Sequence, residues 1–310
     1  MTVIQALDIG LAGLVLAVAV WTIAARETFT AVVSYVAYGL FLSLVWVRLF
    51  ALDVALTEAA IGSGATGVLL ITAASRFRGQ GVGAPGSVPF RLLAAALCLV
   101  VTAGLAAVVL MMPDPGATLA PEVSQHLEDL SIGNPVTAIL MAYRAMDTML
   151  EKVVLILAVI GVWSLSTDEN WGGIAGPRRL VRPHDPLTFL AQLLPPIGIV
   201  VGIHIVWVGA NEPGGAFQGG TILAAMAMIV MLARLVEAPP VSSRRLRLAL
   251  VAGPVVFLLV GLAGFGVAGA FLAYPAGITK PLIIFIEVFM TLSIAVSLPL
   301  LVIGPPTRAP

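Results

Sequence analysis

Four ionisable residues fall within nine positions of one otherwise apolar stretch: Arg144, Asp147, Glu151 and Lys152, in Tyr143-Arg-Ala-Met-Asp-Thr-Met-Leu-Glu-Lys152. On a helix, residues three and four apart share a face, so Arg144, Asp147 and Glu151 line up. Lys152 follows Glu151 by about 100° of rotation. Such a set can neutralise itself so that the helix inserts into a bilayer, with Arg144 pairing Asp147, or it can take up and pass on protons or cations. Pairing Arg144 with Asp147 leaves Glu151 in need of a proton or another cation. Burial and a neighbouring cation act on that carboxyl in opposite senses, which suits it to proton exchange near neutral pH. Glu151 is therefore the first choice for a relay group.

Other charges interrupt apolar runs, where an ionisable side chain costs at least ~2.5 to 3.5 kcal/mol and must face protein, water or a partner. Asp53 opens a run, where it can cap a helix N-terminus or serve an ion path. Glu58 lies about 7 to 8 Å deeper at 1.5 Å per residue, beyond capping range. Gly62 and Ala65 follow it at i+4 and i+7, with Thr66 alongside. That stripe of small residues admits a neighbouring backbone or a file of water. Glu58 is thus either a buried carboxyl held neutral by hydrogen bonds or a relay. His204, the one histidine within an apolar run, follows Pro195 and Pro196, where a kink is expected. A histidine's imidazole is a usual proton-relay group, yet a backbone carbonyl would equally satisfy it. Glu287 lies about 9 Å into the last run. Lys280 stands near the end of that run, where it can join a relay or reach the interface on its long stem.

The connection Gly209-Ala-Asn-Glu-Pro-Gly-Gly-Ala-Phe-Gln-Gly-Gly220 permits tight turns, and the amides of the helix after it could attract an ion. Turn chemistry alone would also explain it. No Gly-Lys-Ser/Thr succeeds it, so a phosphate cradle is not expected. Cys98 is the single cysteine, which excludes an internal disulfide framework and a cysteine metal site. With no nucleophile and base set, metal cluster or nucleotide motif, neither an enzyme nor a cofactor is expected.

The elements that position these residues follow from composition. Of 310 residues 60% are hydrophobic and 10% charged, against about 25% charged in a soluble domain. The mean hydropathy is +1.07. Lys and Arg number 16 and Asp and Glu 16, which leaves no basic face for nucleic acid. An all-α, polytopic transmembrane helix bundle is expected, because runs of roughly 20 apolar residues are spanning helices rather than barrel strands. Nine such runs occur, near residues 5–25, 29–48, 53–74, 91–112, 136–165, 188–209, 215–236, 247–273 and 281–303. The first is read as a retained helix rather than a leader, since it is long and Asp8 precedes it with no Lys or Arg. The fifth exceeds one crossing and is expected to be tilted, broken or shielded.

Arginines gather in alternate connections: Arg26; Arg76, Arg78 and Arg91; Arg178, Arg179 and Arg182; Arg244, Arg245 and Arg247. This predicts those loops in the cytoplasm, an external N-terminus and an internal C-terminus, with Arg48 as the exception. Asp114 falls in an acidic connection on the external side. Gly/Pro-rich residues 79–89 and polar residues 166–186 divide the chain into three modules, 1–80, 81–170 and 185–304, of three, two and four helices.

Three segments carry a family resemblance. Asn211-Glu-Pro-Gly-Gly-Ala-Phe-Gln-Gly-Gly220 resembles the signature region of the B-type subunit (MnhB/MrpB) of Mrp-type multisubunit Na+/H+ antiporters and its counterpart in membrane-bound hydrogenases. Leu52-Asp-Val-Ala-Leu-Thr-Glu58 is similar to a segment of the C-terminal part of the large A-type antiporter subunit and of the small D-type hydrogenase subunit. Val136 to Glu151 is similar to the E-type hydrogenase subunit. The three follow in the order of those modules and together cover most of the chain. Leu52 replaces the usual Pro, Ala216 a usual Gly, Ala210 a frequent His, and Glu58 the Gln frequent in the A-type antiporter subunit, which leans toward the hydrogenase branch.

The resemblance implies a multi-pass subunit in a prokaryotic cell membrane, embedded in the lipid bilayer beside other membrane subunits. Those include large antiporter-like subunits that carry the principal proton channel. It also implies that this chain handles Na+ and/or H+. Arg144, Asp147, Glu151 and Lys152 would relay charge at mid-membrane, with Asp53, Glu58, His204, Glu287 and Lys280 as further stations. Two alternatives stay open: the complex is driven by a redox or other catalytic module, or the chain is a structural adaptor whose charges only satisfy one another.

Overall fold

The computed structural model describes residues 2–76, 87–113, 118–176 and 186–308. Arg78, Asp114, Arg178, Arg179 and Arg182, and parts of both expected module junctions, lie outside the described residues.

All nine apolar runs are helical. The first two are α1 (Val3–Ala24) and α2 (Thr28–Arg48). The third begins as α3 (Leu52–Thr57), continues as a π-helical turn over Glu58–Ala65 and resumes as α4 (Thr66–Arg76). Next come α5 (Val88–Met111) and two short helices, α6 (Ala120–Gln125) and α7 (Leu127–Leu130). The fifth run is divided into α8 (Pro135–Ala138), a π-helical turn (Ile139–Tyr143) and α9 (Ala145–Trp163). The last four are α10 (Pro186–Val208), α11 (Ala216–Leu232), α12 (Arg244–Val267) and α13 (Thr279–Ile303). Seven of these helical stretches are long and apolar enough to cross a membrane by length and composition. Of the other two, α11 has only 17 residues, and the fifth run carries the charge cluster.

The fifth run is broken for local reasons. Asn134 caps α8, its Oδ1 accepting from the Val136 amide at 2.9 Å, and Pro135 takes the first helical position, where a missing N–H costs nothing. The backbone then leaves helical geometry at Arg144, with φ −127° and ψ 34°. In an apolar setting every freed carbonyl needs a donor. Thr148 Oγ1 donates to the Leu140 carbonyl at 2.6 Å and Tyr274 Oη to that of Met141 at 2.7 Å. The prolines of α10, by contrast, lie inside a continuous helix.

Helices α9 and α11 to α13 share a core in which Phe257, Ile283, Ile286 and Ile294 are fully buried. Their approach depends on small residues, the usual means of bringing apolar helices close. A methyl at Gly219 of α11 would lie 2.6 Å from the Gly202 carbonyl of α10, and one at Gly253 of α12 would lie 2.9 Å from Met290 Cα of α13. Helices α1 and α5 bury none of their residues within the chain. Arg48, the exception to the loop-charge pattern, pairs with Asp8 at 2.7 Å and so joins α2 to α1. Two short strands, β1 (Ile174–Ala175) and β2 (Pro306–Arg308), pair antiparallel and fasten the end of α13 to the loop after α9.

Candidate functional site

The glycine-rich connection between α10 and α11 is where three parts of the chain meet. Gly214 and Gly215 hold φ of 151° and 126°, a region closed to most side chains. A Cβ at Gly214 would also lie 2.5 Å from the Ile205 carbonyl. The turn points the first amides of α11 away from its own helix, and two carboxylates from other helices receive them. Asp53 Oδ1, from α3, accepts from the Gly214 amide at 2.8 Å. Glu287 Oε1, from α13, accepts from the Ala216 amide at 3.3 Å. A helix N-terminus carries partial positive charge, so both anions are favoured there.

Asn134 completes the joint. Its Nδ2 donates to the carbonyls of Gly209 at 3.2 Å and Glu212 at 3.0 Å and faces Asp53 Oδ2 at 3.4 Å. Asp53 is therefore not the cap of its own helix, whose N-cap is Ala51. Its carboxylate turns away and binds the glycine turn that precedes α11. Only 8% of Asp53 and 4% of Asn134 remain exposed.

Below the turn lies a cavity of about 240 Å3, lined among others by Glu287, Lys152, Glu151, Gln218, Thr57 and Thr148. The Lys152 side chain is 3% exposed. Its ammonium bonds Glu151 Oε1 at 3.0 Å and stands 4.2 Å above the Phe217 ring, an arrangement that stabilises a desolvated cation. Successive helical positions diverge, but the long lysine stem folds back and supplies the cation that Glu151 requires. Gln218 Nε2 donates to Thr57 Oγ1 at 3.3 Å, linking α11 to α3. Glu287 is buried, and its Oε2 has no hydrogen-bond partner among the described residues. An ammonium, two carboxylates and several hydroxyl or amide groups thus face one chamber from four helices.

The remaining expected residues go elsewhere. Arg144 and Asp147 pair with each other on an outward face, with 71% and 54% of their side chains exposed. The Glu58 carboxyl folds over Gly62 and toward Gly39 of α2, outside the cavity lining. His204 is exposed on α10. Lys280 Nζ donates to Asn211 Oδ1 at 2.9 Å, at the far end of the glycine loop. Sequence reasoning does not single out Asn134, Gln218, Thr57 or Thr148. Two of these carry a signal: Asn134 directly precedes a helix-starting Pro, and Gln218 occupies the third helical position, where Gln commonly reaches back to its own N-cap amide but here bonds Thr57 instead.

Comparison with known proteins matches the two sides of this joint to two different families. Residues 13–79 match the MbhD family, described as the D-type subunit of MBH, and residues 186–304 a domain related to the MnhB subunit of Na+/H+ antiporter. Asp53 lies in the first match; the glycine turn and Glu287 lie in the second. The chain thus carries an MbhD-like part and an MnhB-related part, neither spanning half of its length. A structure of the Mrp complex from Dietzia sp. DQ12-45-1b matches with a TM-score of 0.75 and 24% identity, over 96% of this chain and 35% of that one. The membrane-bound sulfane sulfur reductase, an archaeal respiratory membrane complex, matches with a TM-score of 0.58 and 23% identity, over 70% of this chain and 97% of that one. These likenesses establish the fold: the chain is an all-α, polytopic membrane protein. An uncharacterized protein of Methanocaldococcus jannaschii is 27% identical over 170 residues, 50% of this chain and 65% of the relative. The chain thus spans less than two thirds of that relative and about a third of the Dietzia chain.

Proposed function

We propose that the chain contributes part of a cation or proton path to a multisubunit Mrp-type complex, in a prokaryotic cell membrane and beside large antiporter-like subunits. The carrying observation is Glu287, buried at the cavity with one carboxylate oxygen unpartnered among the described residues. A group that only satisfied its neighbours would not leave a buried oxygen unmatched, because such an atom costs about 1–3 kcal/mol. Lys152 and Glu151 supply fixed charge of both signs to the same chamber, and Gln218 and Thr57 supply neutral partners for a passing ion or its water. Asp53 holds the turn above. Na+ and H+ are the ions proposed, by kinship with the MnhB-related domain; the chain itself carries out no bond chemistry.

The test is transport by the correctly assembled complex in vesicles. Glu287→Gln keeps the Ala216 contact and removes the charge, and it is expected to lower transport at least tenfold; Glu151→Gln is expected to do the same. Full transport in both variants would make the chain a structural adaptor. A second reading keeps the path and changes the driver. The match that covers 97% of a chain of an archaeal respiratory membrane complex favours coupling to a redox module. Redox-active soluble subunits that co-purify with this chain would establish that reading, and their absence from an active complex would remove it.

A further inference from the structure

The glycine turn has a second chamber on its other side. This one has a volume of about 220 Å3, with Phe50, Asn211 and Pro213 toward the rim and Asp53 and Asn134 at the floor. The rim is open: Phe50 is 92% exposed, and Asn211 is exposed as well. The floor is buried, so the chamber narrows from a free surface onto a carboxylate. Asp53 lines this chamber and not the central cavity; Glu287 lines the central cavity and not this chamber. Yet the two carboxylates bond amides only two residues apart, those of Gly214 and Ala216. Gly214 and Gly215 line the central cavity, Asn211 and Pro213 the outer chamber and Val136 both, so this turn and Val136 stand between the chambers, with one carboxylate bonded to the turn on each side.

We infer that the chamber above Asp53 is the vestibule through which the transported cation or proton enters or leaves the central cavity, and that the Gly214–Ala216 turn is its inner wall. The inference rests on the function proposed above. A positive charge on either side of the wall meets a carboxylate at close range, and the low dielectric of a buried site strengthens that attraction. Without side chains at Gly214 and Gly215, a peptide movement is enough to join the chambers. Lys280, held at the rim by Asn211, sets a fixed positive charge beside the opening.

Thiol accessibility tests this in the full chain, assembled in its complex and carrying Cys98→Ser. A membrane-impermeant methanethiosulfonate is expected to modify Pro213→Cys from one side only, the side opposite the arginine-rich loops, and to lower transport at least tenfold. Thr57→Cys, on the central cavity, is expected to resist the same reagent from that side. It is expected to become reactive when Asp53→Ala removes the anchor of Gly214, and to stay protected in Asp53→Asn, which retains an acceptor. An inert Pro213→Cys, its modification without loss of transport, or equal reactivity of Thr57→Cys with and without Asp53 would overturn the vestibule. If Asp53→Ala fails to assemble, the Pro213→Cys result decides alone. Loss of transport in Glu287→Gln beside an inert Pro213→Cys sinks the vestibule and keeps the central path; intact transport in both Glu287→Gln and Glu151→Gln sinks both.

Discussion

Two ion pairs lie one to two turns apart on the same broken helix and occupy opposite environments. Arg144 and Asp147 face outward with more than half of each side chain exposed. Lys152 is enclosed and reaches Glu151 across the mouth of a polar cavity. Their chemistry is nearly the same, a cation beside a carboxylate, so the difference comes from the partners around them. The outward pair has no further charge partner among the described residues, and since a charged pair on a membrane helix is costly against lipid it is expected to face water or another subunit. The inward pair has Phe217, Thr148 and Glu287 around its cavity. Charge density in a sequence locates such a segment; only packing separates its outward charges from its enclosed ones.

The largest effect should come from the inward pair. Lys152→Met keeps the bulk of the stem and removes the buried ammonium, leaving Glu151 without its cation. Transport is expected to fall by more than tenfold in complexes whose subunit composition, checked by native gel, is unchanged. Removing one partner of a fully buried pair costs about 3–5 kcal/mol, and the half-exposed Glu151 should bring the cost below that range. A thermal-shift measurement on the purified complex reads this loss. Transport at the wild-type level would place the ion path outside this cavity.

Asp53→Ala should act next most strongly and mainly on stability. It strips the Gly214 amide of its acceptor inside a buried joint, which costs about 1–3 kcal/mol. Asp53→Asn should recover most of that, since its carbonyl oxygen can accept the same bond. Equal destabilisation by both variants would mean that charge at the helix N-terminus, rather than the hydrogen bond, holds the joint. The outward pair should behave differently again. Arg144→Gln is expected to change the chain's own thermal stability by no more than about 0.5 kcal/mol, as for other exposed pairs. Its expected effect is weaker association with the neighbouring subunits, measured by co-purification. A large loss of transport with full assembly would break the distinction between the two pairs.

How far the sequence foretells this architecture follows the same division. The apolar runs are legible because length and composition alone fix a helix where water is scarce. The break in the fifth run is legible as an excess of length interrupted by charge. Its position at Arg144, however, depends on Asn134, Pro135 and the bond from Tyr274 to Met141, 133 positions apart. Glu151 and Glu287 are legible as charges out of place. Pairing stays hidden. Asp53 looks like a cap because capping is a local rule, whereas its actual partner is an amide 161 positions later. Lys152 looks turned away from Glu151 because helical rotation describes Cα positions and not the reach of four methylenes.

The smallest effect expected separates Asp53 from Glu58, two carboxylates in one helical run. By sequence Glu58 is the deeper and more conspicuous residue, lying on a stripe of small residues. In the structure the π-helical turn that starts there packs against α2, where Glu58 lies against Gly62 and Gly39, while Thr57 and Ile61 face the cavity in its stead. A wide turn inserts an extra residue and rotates the positions beyond it; Gly62 still lies against Glu58, and the small residues there admit α2 at Gly39 rather than line the cavity. Glu58→Gln keeps the shape and removes the charge; transport should change by less than about threefold, the usual range for a surface-type substitution of about 0.5 kcal/mol. A loss as large as that of Lys152→Met would carry the ion path along α2 and the π-helical turn. The shared cavity of α3, α9, α11 and α13 would then be its branch rather than its course.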